Sequence, residues 1–359
     1  MPTPLVDGEE MSVDGGLTRA GTPGQDLAAS AEEWPSVSVI MPILNEEKYL
    51  ADAVRRVLAQ QYEGALEVVL AVGPSQDATA AVAQTLAGAD ARVRVVENPS
   101  GRTPDGLNAA LHAAQHDVIV RVDGHAELSD GYIRTAVAEL ERTGAVNVGG
   151  IMDAQGTTSF EQAVACAMKS PLGVGNARFH CGGGEGEAET VYLGVFRRET
   201  LLQIGGYDSH FTRAQDWELN HRLRQSGGRV WFTPELKVTY RPRPTVNKLS
   251  RQYFEYGRWR RVVSAHHATI NPRYLAPPAM VLGTAAATVA GLRRPALLAV
   301  PAAYLAAVAA GGLAISKGQK TSTRALVPVA LATMHWSWGV GFLTSPRRLR
   351  RPVQEKTEA

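Results

Sequence analysis

Between Val37 and Val122 the chain alternates two hydrophobic periods, and this alternation limits its fold more than any other feature. Residues 37–43, 68–72, 93–96 and 118–122 are short apolar runs with the length and β-branched content of buried strands. The gaps between them carry a helical period. Leu50, Ala53, Val54, Val57 and Leu58 recur at i, i+3, i+4, i+7 and i+8, behind Asn45 as the expected N-cap with Glu46 and Glu47 following. Leu107, Ala110, Leu111 and Ala114 repeat the stripe before the fourth run. Strands alternating with helices predict an α/β fold with a mostly parallel sheet. Ligands of such sheets collect beyond the carboxyl ends of the strands.

The fourth run ends abruptly in Asp123-Gly124-His125. Alternate side chains of an extended segment point the same way, so Asp123 and His125 are spaced to hold one divalent cation, and the cation would neutralise a diphosphate. A plain Asp-Gly turn is the other reading of the same residues. No GxGxxG follows the first strand and no GxxxxGK[ST] occurs, which removes the ordinary dinucleotide and P-loop explanations. The first strand runs instead into Pro42-Ile43-Leu44-Asn45-Glu46. The second ends in Gly73-Pro74-Ser75-Gln76-Asp77-Ala78-Thr79, where Asp77 is either a ligand contact or a charge favouring a helix dipole.

Taken in order, Pro-x-x-Asn-Glu, Ser-x-Asp-x-Thr, Gly106-Leu107-Asn108 and Arg-x-Asp-x-His resemble the inverting family 2 glycosyltransferases of GT-A fold. The Arg-Val-Asp-Gly-His form looks closest to the membrane-associated exopolysaccharide transferases of the succinoglycan type. The resemblance covers about residues 37–262. It implies a Rossmann-like nucleotide-sugar domain, with Pro42, Asn45, Glu46, Asp77, Asn108, Arg121 and Asp123 on the donor and Asp123 with His125 at the metal. One departure stands out: Val72-Gly73-Pro74-Ser75 replaces the family's Asp-Asp-Gly-Ser run, so the base of the donor is open, with a UDP-sugar favoured. His125 in place of a second carboxylate shifts the expected metal from Mg²⁺ towards Mn²⁺, because imidazole suits the softer ion.

Further along, Leu219 and Leu223 lie one helical turn apart, which places Asp216 near a helix start where the dipole favours an ionised carboxylate. Inverting sugar transfer needs a general base on the acceptor hydroxyl and charge stabilisation on the leaving diphosphate. The segment resembles the family's Glu-Asp acceptor motif with Gln215 in place of Glu, so Asp216 is the expected base. Trp217, Glu218 and Arg222 are expected beside the acceptor, and His221 outside the metal site. The glycine-rich segment 179–187 reads either as a loop closing over the donor or as a plain connector.

Charge is distributed unevenly although the net value is only +2. Residues 1–34 hold seven acids against Arg19, without an apolar run, and read as a solvated tail lacking the marks of a secretory signal. Cys166 and Cys181 lack metal spacing and read as free thiols in a reducing compartment. The GT-A domain is expected over residues 35–246. Residues 247–274 form a basic, aromatic interfacial segment, in which Arg258 and Trp259 are expected to meet the acceptor and the remaining cations to meet anionic lipids. No nucleic-acid recognition pattern accompanies it.

From Leu275 to Leu343 there is no acidic residue, and five basic ones divide the region into stretches 275–292, 295–315 and 325–343. Two to three membrane spans are expected, followed by a basic tail at 344–359. Three spans would put Arg347, Arg348, Arg350 and Arg351 across the membrane from a cytoplasmic domain, whereas two would return them. The expected activity is transfer of a sugar from a nucleotide diphosphate to a lipid-linked or polysaccharide acceptor in cell-envelope assembly. A polyprenyl-phosphate sugar synthase and a noncatalytic nucleotide-sugar or lipid-binding scaffold are the alternatives.

Overall fold

The computed structural model describes residues 34–350. The expected acidic tail, apart from Trp34, and the last nine residues lie outside the described residues. Nine strands form one sheet: β1 Val37–Ile43, β2 Leu66–Val72, β3 Val93–Glu97, β4 Val118–Arg121, β5 Glu127–Leu128, β6 Asn147–Ala154, β7 Gly186–Glu187, β8 Tyr192–Arg197 and β9 Val230–Tyr240. Their order is β3-β2-β1-β4-β8-β6-β9-β5, with β7 pairing β9. The first four strands pair in parallel and β6 pairs parallel to β9; β8 runs against both β4 and β6. The short β5 and β7 are antiparallel additions to β9.

Period-2 alternation divides the strands between two cores. Val37, Val39, Met41 and Ile43 of β1 face one cluster with Val118 and Val120, while Ile40 and Ile119 face the other. The first cluster is covered by α1 Leu50–Leu58, α2 Thr79–Ala89 and, after α3 Thr103–Ala113 on the opposite face, by α4 Tyr132–Thr143. The second is covered by α3 and, beyond α5 Ser159–Met168, α6 Pro171–Val174 and α7 Arg178–Cys181, by α8 Arg198–Gln203 and α9 Gln215–Gln225. The carboxyl ends of β1, β2 and β4 therefore open on the same edge, which is where Asn45, Asp77 and Asp123 stand.

Asn45 is not the cap of α1. That helix begins at Leu50 with Tyr49 at its N-cap position and no side-chain cap bond. Asn45 instead takes a left-handed backbone (φ 56°) and sends its side chain to the neighbouring loop. Asparagine tolerates this conformation better than most residues because its short amide can hydrogen-bond locally.

The basic, aromatic segment folds as α10 Val246–His266, capped by Thr245, whose hydroxyl accepts from Lys248 N. It is followed by α11 Ala276–Gly291, α12 Ala299–Ile315 and α13 Thr321–Leu343. Three stretches, Pro272–Gly291, Pro295–Ile315 and Thr321–Leu343, are long and apolar enough to cross a membrane. Leu249 and Tyr253 of α10 share a core with Val327, Ala330, Leu331 and Met334 of α13 and with Ala163, Val164 and Ala167 of α5. The α10–α13 crossing depends on two glycines: a Cβ at Gly257 would run into the Trp338 carbonyl, and one at Gly341 into that of Phe254.

Candidate active site

The loops after β1 and β2 are laced together. Asn45 N donates to Ser75 Oγ at 3.0 Å, and Gln76 N donates back to Asn45 Oδ1 at 2.8 Å. Glu46 N donates to Thr79 Oγ1 at 2.8 Å, and Ala78 N to Glu47 Oε2 at 3.1 Å. Asp77 accepts from Glu47 N at 3.3 Å and from both the backbone and hydroxyl of Thr79, whose hydroxyl is the main cause of its lowered pKa. Asp77 thus joins two loops just ahead of α2 as well as carrying charge towards the helix start. Pro42, near the carboxyl end of β1, packs towards α3, where a Cβ on Gly106 would come within 3.3 Å of it.

At the end of β4, Arg121 is buried and reaches two carboxylates. Nη2 lies 3.1 Å from Asp123 Oδ1, and Nη1 pairs with Asp216 Oδ1 at the start of α9. Burial is the largest influence on Arg121 and opposes its charge, yet Asp123 together with Tyr207 and Tyr192 outweighs it and holds the pKa above the usual guanidinium value. One cation thereby fixes the strand-end carboxylate and the helix-start carboxylate, 93 residues apart in sequence, beside each other. Residues 214–216 add a local device: Ala214, the N-cap position of α9, has φ 61° and turns the chain so that Asp216 falls in the first turn.

His125 Nδ1 lies 2.7 Å from Glu46 Oε1, and this hydrogen bond lifts the His125 pKa while burial works against it. Gly124 is what permits the approach, since a Cβ there would come within 2.9 Å of Glu46 Cγ. A carboxylate on one ring nitrogen is the support that metal-ligating histidines characteristically have, because it fixes the tautomer and leaves the other nitrogen's lone pair free. His125 Nε2 and Asp123 Oδ2 have no hydrogen-bond partner among the described residues. Their donor set of one carboxylate and one imidazole fits a divalent cation. Among the described residues no group of three His, Cys, Asp or Glu side chains gathers as a metal site. A cation here would therefore complete its shell with oxygens of the ligand and water.

Three expected contact residues have their polar atoms occupied by the protein itself. Asn108 Nδ2 donates to the Tyr207 carbonyl at 2.7 Å and its Oδ1 accepts from Tyr207 N at 2.8 Å, so it docks the Gly205-Gly206-Tyr207 turn in place of a donor. Glu218 is 1% exposed and holds Arg222 Nε at 2.7 Å and His267 Nε2 at 3.2 Å. Arg222 also donates to the carbonyls of Ile204 and Gly206, both at 2.7 Å. Glu218, buried, and Arg222, partly exposed, thus fasten α9 to the turn before it and to the end of α10. Their i, i+4 spacing was the visible signal for this pair.

The remaining expected acceptor residues form an aromatic wall. Trp217, buried, stacks on His221 with centroids 5.1 Å apart and an interplanar angle of 8°, and Arg260 lies over its ring at 4.9 Å. Trp259 packs edge-on against Phe211, and Arg258 pairs with Glu255 at 3.0 Å. His221 is a stacking residue, away from Asp123 and His125. Arg260, placed between Trp217 and Tyr274, was not singled out in the sequence; its position beside Arg258 and Trp259 in a basic run was the only sign. Tyr207 was likewise overlooked, although it follows two consecutive glycines, both with positive φ. Segment 179–187 is anchored by the β7–β9 pairing and by Glu185, 2.9 Å from Arg142.

The glycosyl transferase family 2 model matches residues 38–201. A succinoglycan biosynthesis protein, ExoA of Rhizobium meliloti (strain 1021), is 32% identical over 330 residues, which is 90% of this chain and 99% of that protein. The chain belongs to glycosyl transferase family 2. Similarity extends more weakly to a dolichyl N-acetyl-alpha-D-glucosaminyl phosphate 3-beta-D-2,3-diacetamido-2,3-dideoxy-beta-D-glucuronosyltransferase of Methanococcus voltae, 22% identical over 62% of this chain and 71% of that protein. Among solved structures, the mannosyltransferase PcManGT of Pyrobaculum calidifontis, in complex with GDP-Man and Mn²⁺, superposes with a TM-score of 0.56 at 20% identity, over 87% of this chain and 88% of that one. This family 2 member therefore has the GT-A fold that its strand order and motifs predict.

Proposed function

We propose that this family 2 glycosyltransferase is a membrane-anchored, inverting enzyme of exopolysaccharide assembly, transferring a hexose from a nucleotide diphosphate, with UDP favoured, to a lipid-linked or polysaccharide acceptor. The observation that carries the reading is Arg121 held between Asp123 and Asp216, which puts a donor-side and an acceptor-side carboxylate on one cation. The resemblance to a succinoglycan protein supports the polysaccharide, and the three apolar stretches support the membrane.

In this reading Asp216 accepts the proton of the acceptor hydroxyl as its oxygen forms the new bond to the anomeric carbon. The bond from that carbon to the diphosphate breaks on the opposite face, and its electron pair leaves with the nucleotide. Asp123 and His125 would hold a divalent cation, with Mn²⁺ favoured by the imidazole, that neutralises charge on the leaving diphosphate. Glu46 keeps His125 in the ligating tautomer. Pro42, Asn45 and Asp77 shape the nucleoside side, while Trp217, Arg258 and Trp259 border the acceptor. The catalytic domain is on the cytoplasmic side, where nucleotide sugars are made.

The test is nucleotide diphosphate release from UDP-, GDP- and dTDP-sugars with Mn²⁺ or Mg²⁺ in membranes carrying the parent or Asp216→Asn protein. One donor should be turned over, and the variant should lose at least about 100-fold in rate while still binding that donor. Turnover by the variant within tenfold of the parent would remove Asp216 from the role of base.

A further inference from the structure

By length and composition the stretches that contain α11, α12 and α13 are alike, each long and apolar enough to cross a membrane. What touches them is not alike. Along α13, polar contacts to the catalytic domain and α10 recur from end to end. At its start Ser322 Oγ lies 3.0 Å from Ser159 Oγ, and Thr323 Oγ1 donates to Gln162 Oε1 at 2.9 Å; both partners belong to α5. Midway, His335 Nε2 meets the Leu172 carbonyl of α6 at 2.7 Å, and Ser337 Oγ donates to Ser250 Oγ of α10 at 2.9 Å. Just past its end, Ser345 Oγ donates to the Arg258 carbonyl at 3.0 Å.

These contacts run over about 35 Å at 1.5 Å per residue, roughly the thickness of a bilayer's hydrocarbon. A helix crossing that layer would carry its companions into it. Along the shared length α10 bears Lys248, Arg251, Glu255, Arg258 and Arg261, and α5 leads directly to Lys169, which pairs with Asp153 at 2.5 Å. Lipid does not accommodate so many charges on one face. The two glycine crossings seat α13 backbone to backbone against α10.

By contrast, within α11 and α12 no side chain hydrogen-bonds the catalytic domain among the described residues: the first stretch is tied to it ahead of the helix, where Arg273 donates to Glu189 Oε2 at 2.8 Å, and α12 meets α13 at Tyr304 and His335. Only 22% and 11% of their apolar windows are buried, against 39% for α13. Leu282, Val289 and Leu292 on the first and Val300, Leu305 and Leu313 on the second stand exposed. We infer that only α11 and α12 cross the bilayer, as a hairpin turning at Arg293 and Arg294, and that α13 lies along the catalytic domain at the membrane surface as a clamp on α10. This rests on the membrane anchorage proposed above. It also returns Lys317, Lys320, Arg347 and Arg348 to the side of the catalytic domain, leaving two arginines across, which fits the usual charge bias.

Sidedness of single cysteines in the full chain tests this. Gln225→Cys, Arg294→Cys and Thr344→Cys are introduced separately, and spheroplasts are treated with a membrane-impermeant maleimide before and after lysis. The parent, which retains Cys166 and Cys181, sets the background. Arg294→Cys should label in intact spheroplasts, and Gln225→Cys and Thr344→Cys only after lysis. Thr344→Cys labelling from the opposite side to Gln225→Cys would show that α13 crosses and would overturn the inference. Arg294→Cys on the same side as Gln225→Cys would overturn the hairpin. Outside labelling of Gln225→Cys would break the cytoplasmic reading instead, and the relative sides of the three positions would still decide the topology. Should Arg294→Cys fail to accumulate, Arg293→Cys serves the same turn.

Discussion

The donor-side loops and the acceptor-side helices treat their polar groups in opposite ways. After β1 and β2, backbone amides of Asn45, Glu46, Glu47, Gln76, Ala78 and Thr79 each find a side chain across or within the two loops. Around α9 and α10, buried polar atoms of Trp217 (Nε1), Arg258 (Nε) and Arg260 (Nη1) have no hydrogen-bond partner among the described residues. A buried polar atom without a partner costs about 1–3 kcal/mol, so each such group is a place where a ligand's hydrogen bond would be worth most. The donor side is finished before any ligand arrives. In the proposed reading the acceptor finishes the other side.

Arg121 joins the two sides, and its loss should be the largest single effect. In Arg121→Gln the carboxylates of Asp123 and Asp216 lose their common cation. Removing one partner of a buried ion pair costs roughly 3–5 kcal/mol, and the partial exposure of both carboxylates places this case near 3. Thermal unfolding of the purified protein should report that loss, and nucleotide release should fall with it. A variant as stable and as active as the parent would mean that the two sides are coupled through some other group.

How much of this was legible in the sequence follows from how local each signal is. Strands β1, β2 and β4 were visible because both faces of each are buried, which writes an apolar run into consecutive residues; β3, at the sheet edge and only partly buried, kept a shorter valine pattern. The start of α9 was visible from Leu219 and Leu223, one turn apart. Asn108 was misread because its partner, Tyr207, lies 99 residues away, and a Gly-Leu-Asn triplet carries no trace of that contact. Asn45 was misread as a cap for a related reason: the bond that settles its role comes from Gln76, on another loop. Glu218 and Arg222 read as acceptor contacts, and beyond their i, i+4 spacing it is the docking of His267 from the end of α10 that shows Glu218 to be interior. Long-range polar contacts have no periodicity, whereas apolar burial does.

On the donor side, Asn45→Ala removes the acceptor for Gln76 N and puts a Cβ-bearing residue without a local hydrogen bond at positive φ. Together these cost about 2 kcal/mol. Because the loops meet at this residue, the loss should appear mainly as a roughly tenfold higher KM for the nucleotide sugar, with kcat within about threefold, since Asp216 and Arg121 are untouched. An unchanged KM, measured by donor titration at saturating metal, would show that the lacing is not part of the donor seat.

The acceptor side makes the reverse prediction, and the smallest effect. Trp217→Phe deletes an indole N–H that has no partner, while the six-membered ring keeps its place between His221 and Arg260. Removing an unsatisfied polar atom returns its desolvation cost, which offsets the packing lost with the smaller ring, so the unfolding free energy should stay within about 1 kcal/mol of the parent. If the acceptor supplies the missing partner, its KM should rise about fivefold, the worth of one hydrogen bond, when acceptor-bearing lipid extract is titrated against a fixed donor concentration. A stable variant with unchanged acceptor KM would leave the orphaned N–H as a feature of packing alone. A destabilised variant would show that the wall is as complete without ligand as the loops opposite it, and the contrast between the two sides would fail.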